Sequence, residues 1–136
     1  MTRVAVDTSV AIPLVLAAHP AHAAVREWAD ERSLALCGHA LPETYSVLTR
    51  LPGDARLTPA DALVVIDANV DEVLALDADQ ARSIHHRLAE AGVAGGAVYD
   101  GLVGAVAALH GLTLASRDAR ARATYEAVGT RVELLG

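Results

Sequence analysis

The sequence predicts an α/β fold, a five-stranded parallel sheet flanked by helices on both faces, in a single domain over residues 1–136. Two observations lead to this prediction. Short, continuously apolar runs of the kind found in buried parallel strands alternate with longer segments of helical periodicity. Hydrophobic residues make up 53% of the chain and charged residues 21%, which is the composition of a globular domain with one core.

The strands are the apolar runs that end at polar or turn-forming residues. RVAV opens the chain, LALC ends at Gly38, and EVLAL precedes a long polar helical segment. The two remaining runs, LTLAS and RVELL, flank the last helical segment. Strands are therefore predicted over residues 3–6, 34–37, 72–76, 112–116 and 131–135.

The helices are predicted from the spacing of apolar residues and from capping residues. Pro42 stands in a first turn, where the missing N–H of proline would be unpaired anyway. Thr58 before Pro59 is an N-cap signal, and Gly92 is a helix-ending residue. Helices are predicted from about Ser9, over 21–31, over 41–51, from Pro59 to about Asn69, and over 78–92, 98–111 and 119–129.

Composition excludes several chemistries. The chain has no Lys, so it holds no P-loop, Schiff-base or receiver-domain lysine. A net charge of −6 gives no bulk attraction to nucleic acid, so such a partner must be met by a local Arg patch or through a bound cation. The single Cys37 forms no internal disulfide and is expected as a small buried hydrophobe.

The sequence shows no signal for a membrane location. No apolar run reaches the ~18 residues that a membrane-spanning helix needs. Asp7 and Pro13 interrupt the apolar start of the chain, which disfavours a secretion signal. We expect a cytoplasmic protein with no membrane partner.

Four acidic residues stand at strand exits or helix starts. They are Asp7, Glu43, Asp100 and Asp118. In an open parallel sheet these places converge on the crevice at the carboxyl ends of the strands. Four carboxylates gathered there repel one another unless a cation lies among them, and all-oxygen ligation suits Mg²⁺ or Mn²⁺.

Each acid also has a simpler explanation. Asp7 and Asp118 fit N-caps, and Glu43 is ordinary in a first helical turn. Asp100 is harder to explain in this way, because its helix is otherwise apolar and an unpaired carboxylate there is costly. One shared metal site accounts for all four acids together.

Four segments of the chain resemble the acidic motifs of PIN-domain ribonucleases, most of all the VapC toxins of toxin–antitoxin pairs. The segments are VAVDTSVAI, LPETYSVLTRL, YDGLVGAVAALHG and LASRDARARATYEAVG. The resemblance covers essentially the whole chain in the family's motif order. It implies a five-stranded parallel sheet, a Mg²⁺-dependent ribonuclease acting on RNA, a cognate antitoxin protein and a homodimer.

The resemblance also implies roles for individual residues. Asp7 and Asp100 are the expected primary metal ligands, while Glu43 and Asp118 complete a second site or orient the attacking water. Ser9 either binds the scissile phosphate or a ligand carboxylate, or caps the first helix. Ala121 departs from the family, where many relatives carry an aromatic residue; Tyr125 is expected to supply that bulk.

Residues around these motifs are less informative. Arg117, Arg120 and Arg122 flank the last acid and either contact RNA phosphates or form a solvated helix face. His39 lies close to Glu43 and is expected as a loop histidine, with substrate contact as the alternative. Tyr99 either packs beside the site or stacks a base, with core packing as the simpler explanation, and so few aromatic residues disfavour an extended stacking surface.

Two further function classes and one assembly prediction remain. A metal-dependent phosphatase of another α/β family commonly needs a second Asp two residues after the first, where this chain has Ser9. A non-catalytic protein-binding module would keep its acids for a partner's arginines.

Self-association is expected from the apolar surface of the first two helices, at Leu14, Val15, Leu16 and Trp28.

Overall fold

In the computed structural model, which describes residues 1–136, five strands form one parallel sheet in the order β3-β2-β1-β4-β5. The strands are β1 (Thr2–Val6), β2 (Arg32–Cys37), β3 (Glu72–Leu74), β4 (Leu114–Ser116) and β5 (Val132–Leu134). The predicted fold class is confirmed. The outer strands β3 and β5 are shorter than their apolar runs, because each pairs with only three residues of its neighbour.

Seven α-helices and one short 3₁₀ turn, Gly53–Ala55, connect the strands. The helices are α1 (Thr8–Val15), α2 (His22–Ala29), α3 (Ala40–Leu48), α4 (Pro59–Asn69), α5 (Ala78–Glu90), α6 (Ala97–Leu109) and α7 (Arg122–Ala127). Thr58 caps α4 as predicted, since its side chain accepts a hydrogen bond from the Asp61 N–H at 3.1 Å. The last helix is shorter than predicted, because residues 118–121 form a turn in front of it.

The strand order places the helices on two faces. Successive strands step from β1 to β2 to β3 in one direction, whereas the connections to β4 and β5 step in the other. Right-handed crossovers therefore put α1 to α4 on one face of the sheet and α5 to α7 on the opposite face. The packing agrees, since one small apolar cluster joins α1, α3 and α4 and another joins α5, α6 and α7.

The core is aliphatic and centred on β1, β2 and β4. Cys37 is fully buried there, as predicted, and burial raises the pKa of its thiol to about 12. The expected excess of apolar surface on the first helices is wrong for Leu14, which is 2% exposed, while Val15 packs against the apolar clusters beneath it. No helix is long and apolar enough to cross a bilayer.

Candidate metal centre and active site

The four predicted acids line one cavity of about 350 Å³ at the carboxyl ends of the strands. Ser9 lines the same cavity, as do His19, Arg117 and Tyr125. The full lining is Asp7, Thr8, Ser9, Ile12, Pro13, His19, Glu43, Asp100, Val103, Arg117, Asp118 and Tyr125. The cavity lies where the strand order reverses, between β1 and β4, which is the usual binding crevice of an open parallel sheet.

Asp7 is the most enclosed of the four acids, with 5% of its surface exposed. It follows β1 directly and is the N-cap of α1, where its Oδ1 accepts hydrogen bonds from the Ser9 hydroxyl at 2.6 Å and the Val10 N–H at 3.3 Å. Its Oδ2 accepts a third from the Tyr125 hydroxyl at 2.8 Å. Donors of this kind offset the cost of burying a carboxylate.

Two serine hydroxyls join the ends of β1 and β4 beneath the cavity. Ser9 Oγ accepts a hydrogen bond from the Arg117 N–H at 2.7 Å, and Ser116 Oγ accepts one from the Asp118 N–H at 3.0 Å. The two hydroxyl oxygens lie 3.4 Å apart. Ser9 does not cap α1, because Asp7 holds that position; its hydroxyl instead donates to the carboxylate of Asp7.

Asp100 and Glu43 lie on the more open side of the cavity, in the first turns of α6 and α3. Burial raises the pKa of Asp100 above its usual value, and the negative charges of Glu43, Asp118 and Asp7 raise it further. His39 acts in the opposite direction, and its Nε2 lies 3.6 Å from Glu43 Oε2. The four carboxylates are therefore close enough to repel one another, as their positions in the sequence predicted.

Asp118 begins a turn rather than capping the last helix. Its carbonyl accepts a hydrogen bond from the Ala121 N–H at 3.1 Å, and its Oδ1 accepts one from the Arg120 N–H at 3.0 Å. The N-cap of α7 is Ala121, which has no capping side chain. The capping interpretation of Asp118 is thus wrong for the helix, although the carboxylate does stabilise the turn before it.

Tyr125 is a site residue whose contact with Asp7 sequence reasoning missed. It is 1% exposed and belongs to the same apolar cluster as the buried Ala121. Its hydroxyl reaches Asp7 because α7 packs closely on α6 at Gly104, where an added Cβ would lie 3.1 Å from Tyr125 Cδ1. Burial and the Asp7 charge raise the pKa of Tyr125 well above its usual range, so the hydroxyl stays a donor.

The cavity has the donor chemistry of a hard-cation site without an assembled coordination shell. No three His, Cys, Asp or Glu side chains already surround a single point closely enough to hold an ion. The Thr8 hydroxyl, however, is the one buried side-chain polar atom of the chain with no hydrogen-bond partner, and Thr8 lines this cavity. An oxygen-rich lining with an unpaired hydroxyl fits a hydrated divalent cation.

Comparison with known proteins agrees with this arrangement. The PIN domain family model matches residues 4–127. The chain is 53% identical over 128 residues to Ribonuclease VapC27 of Mycobacterium tuberculosis, covering 94% of this chain and 93% of that protein.

Solved structures share the fold at low sequence identity. VapC20 of Mycobacterium tuberculosis, described as a sarcin-ricin loop cleaving toxin, superposes with a TM-score of 0.67 at 22% identity, covering 93% of this chain and 95% of that one. VapBC2 of Rickettsia felis, bound to a DNA fragment from their promoter, gives a TM-score of 0.68 at 12% identity, with 99% of this chain and 100% of that chain covered.

Proposed function

We propose a function on the premise that the chain belongs to the PIN-domain family: it is a metal-dependent ribonuclease, the toxin of a toxin–antitoxin pair. The observation that carries the proposal is the convergence of Asp7, Glu43, Asp100 and Asp118 on one cavity. Mutual repulsion among these acids favours the binding of a divalent cation. Because the proposed substrate is cellular RNA, the cytoplasm is the proposed location.

The acids are the groups that would hold Mg²⁺ or Mn²⁺. Asp7 and Asp100 are the proposed primary ligands, with Glu43 and Asp118 holding a second ion or a water. A bound divalent cation would lower the pKa of a coordinated water and neutralise charge on the phosphodiester. PIN-domain nucleases are generally divalent-metal dependent, and the four carboxylates that line the cavity agree with that chemistry.

The other residues of the cavity orient these acids. Ser9 and Tyr125 fix both oxygens of Asp7 by hydrogen bonds, so its carboxylate enters the reaction already positioned. Ser9 is thus proposed as a positioning residue, because its hydroxyl is already engaged by Asp7 and the Arg117 N–H. The exposed Arg117 side chain at the cavity and the neighbouring Arg120 are the proposed contacts for RNA phosphates.

Neither competing function gains a supporting observation. In the phosphatase alternative a second acid would stand where Ser9 lies, and Ser9 instead supports Asp7. If the chain were a protein-binding module, the convergence of four acids on one cavity and the raised pKa of Asp100 would have no chemical role.

Cleavage of purified total cellular RNA by the antitoxin-free protein tests the proposal. We expect discrete fragments in millimolar Mg²⁺ and none in EDTA, with the cut sites identified by sequencing the fragment ends. Expression of the chain alone is expected to arrest growth, and co-expression of a cognate antitoxin to restore it. Wild-type protein that binds Mg²⁺ yet cuts no cellular RNA would reject the ribonuclease function.

Self-association is proposed through an apolar face on α3 and α4 rather than through α1. Leu63 and Val64 are 54% and 67% exposed, and Leu63 lines an apolar groove with Leu41 and Tyr45. Exposed apolar surface of this kind favours an interface. Light scattering should give a dimer for the wild type and a monomer for Leu63→Glu, whereas a wild-type monomer at high concentration would reject the homodimer.

A further inference from the structure

Two aromatic rings lie together at the surface beside the acids. Tyr99 is 54% exposed, which excludes core packing, the simpler explanation of this residue. Its ring centroid lies 4.9 Å from that of His39, with 31° between the planes. Tyr125, by contrast, is buried, so Tyr99 is the only Phe, Tyr or Trp residue among the exposed large hydrophobic side chains.

The ring pair adjoins the open side of the acidic cavity through both of its members. Tyr99 immediately precedes Asp100 in the first turn of α6. His39 Nε2 lies 3.6 Å from Glu43 Oε2. A ligand whose phosphate binds a cation held by the acids would therefore have an aromatic surface next to it.

We propose that Tyr99 and His39 stack one unpaired RNA base next to the cleaved phosphodiester. This inference rests on the proposed ribonuclease function and adds a recognition element to it. A protein with a net charge of −6 gains little from bulk electrostatics when it binds RNA. Aromatic stacking supplies binding energy that does not depend on charge and tolerates any base, because every base has a π face.

The pair also restricts the class of RNA that fits. A base inside a regular helix is stacked between its neighbours and cannot lie on a protein ring, whereas bases in loops, bulges and single strands can. An exposed Tyr99 ring therefore requires an unpaired base at this one position of the bound RNA. One ring pair holds one base, which agrees with a chain too poor in aromatic residues for an extended stacking surface.

Substitution of Tyr99 gives the first test. Tyr99→Ala is expected to raise KM for RNA about 5- to 150-fold with little change in kcat, which corresponds to about 1–3 kcal/mol for one stacked base. Tyr99→Trp should keep the wild-type KM. Leu109→Ala, at the exposed far end of the same helix, is the matched control and should leave KM unchanged.

An abasic scan separates stacking from a structural effect. A cleaved oligonucleotide is remade with single abasic positions on either side of the cut. At one abasic position, the KM of the wild type should rise by the same factor by which Tyr99→Ala raises KM on intact RNA. The KM of Tyr99→Ala should not rise further on that oligonucleotide. Any of three results would overturn the inference. They are an unchanged KM for Tyr99→Ala, a rise in KM that no abasic position reproduces, and a change of oligomeric state that accounts for the rise.

Binding without cleavage keeps the inference separable from the ribonuclease function. A short single-stranded oligoribonucleotide carrying 2-aminopurine is mixed with each protein in Ca²⁺, a hard cation that carboxylates also bind, in place of Mg²⁺. Wild type and Leu109→Ala should quench the fluorescence of the stacked base, and Tyr99→Ala should not. Absence of quenching by the wild type at every probe position overturns the stacking surface, whereas absence of RNA cleavage in Mg²⁺ rejects only the function on which it rests.

Discussion

The two halves of the acidic cavity solve the problem of a buried charge in opposite ways. The closed half is Asp7 with the residues hydrogen-bonded around it, namely Ser9, Ser116 and Tyr125. The open half is Glu43 and Asp100 with the ring pair beside them, His39 and Tyr99. In the closed half the chain supplies donors to both oxygens of its acid; in the open half the acids face one another and the solvent.

This difference separates positioning from binding. Asp7 is held by donors that remain in place whether or not a cation is present, so its orientation is a property of the fold. Asp100 has a raised pKa from burial and from neighbouring carboxylates, and only His39 opposes that rise. The negative charges around the open half therefore outweigh the opposing effect of His39, and a divalent cation is the partner that would complete it.

Removing one negative charge from the open half should give the largest change in RNA cleavage. Asp100→Asn is expected to lower RNA cleavage at least ~100-fold, the usual cost of losing one stabilising group at a reacting centre. A cleavage rate equal to that of wild type at equal Mg²⁺ would remove Asp100 from the site. Asp79→Asn, exposed on α5, is the matched control and should keep full activity.

The same variant should be at least as stable as the wild type without metal. The pKa of Asp100 is higher in the folded chain than in the unfolded chain, so its ionised form weakens the fold. The contribution of Asp100 to the free energy of unfolding of the metal-free wild type should therefore fall as pH rises from the ordinary aspartate pKa through the raised one. In urea denaturation across this pH range, the stability of Asp100→Asn relative to the wild type should increase with pH.

Mg²⁺ should stabilise the wild type through the open half. A cation that binds only the folded chain adds about 2.7 kcal/mol at a hundredfold excess over Kd. Thermal melting should show the rise with millimolar Mg²⁺ and much less of it with NaCl at the same ionic strength, which controls for screening of the acids. A melting temperature that Mg²⁺ and NaCl shift equally would contradict a specific cation site.

Removing a donor from the closed half should lower stability instead of raising it. Tyr125→Phe leaves buried Asp7 without its Oδ2 partner and should lower the free energy of unfolding by about 1.5–3 kcal/mol, as for hydrogen bonds to charged groups. Tyr45→Phe, on the half-buried α3 surface, is the control and should change it little. If Tyr125→Phe is as stable as the wild type in urea, the closed half is not held as described.

A change outside both halves should give the smallest effect and provides a baseline. Thr58→Ala removes the N-cap of α4 and should cost about 1 kcal/mol, while Thr58→Ser should retain the cap. RNA cleavage measured well below the melting temperature should be unchanged in both variants. Reduced cleavage by Thr58→Ala under those conditions would mean that activity follows global stability, which would weaken the interpretation of the site variants.

Local sequence patterns determined the parts of this protein that depend on short distances along the chain. The alternation of apolar runs and helical segments predicted five parallel strands, and Thr58 marked a helix start correctly. The acids were found because strand exits and helix starts of a parallel sheet share one edge, so chain position alone predicts their convergence.

The tertiary structure decided which groups touch. The Tyr125 hydroxyl bonds to Asp7 across 118 residues of sequence, and this contact depends on strand order and on close helix packing at Gly104. For Tyr99 the sequence left packing beside the site, stacking and core packing open, and the structure places its side chain at the surface against His39. Periodicity records how residues repeat within one element, whereas contacts between elements depend on their packing in three dimensions, so only the folded chain distinguishes the closed half from the open one.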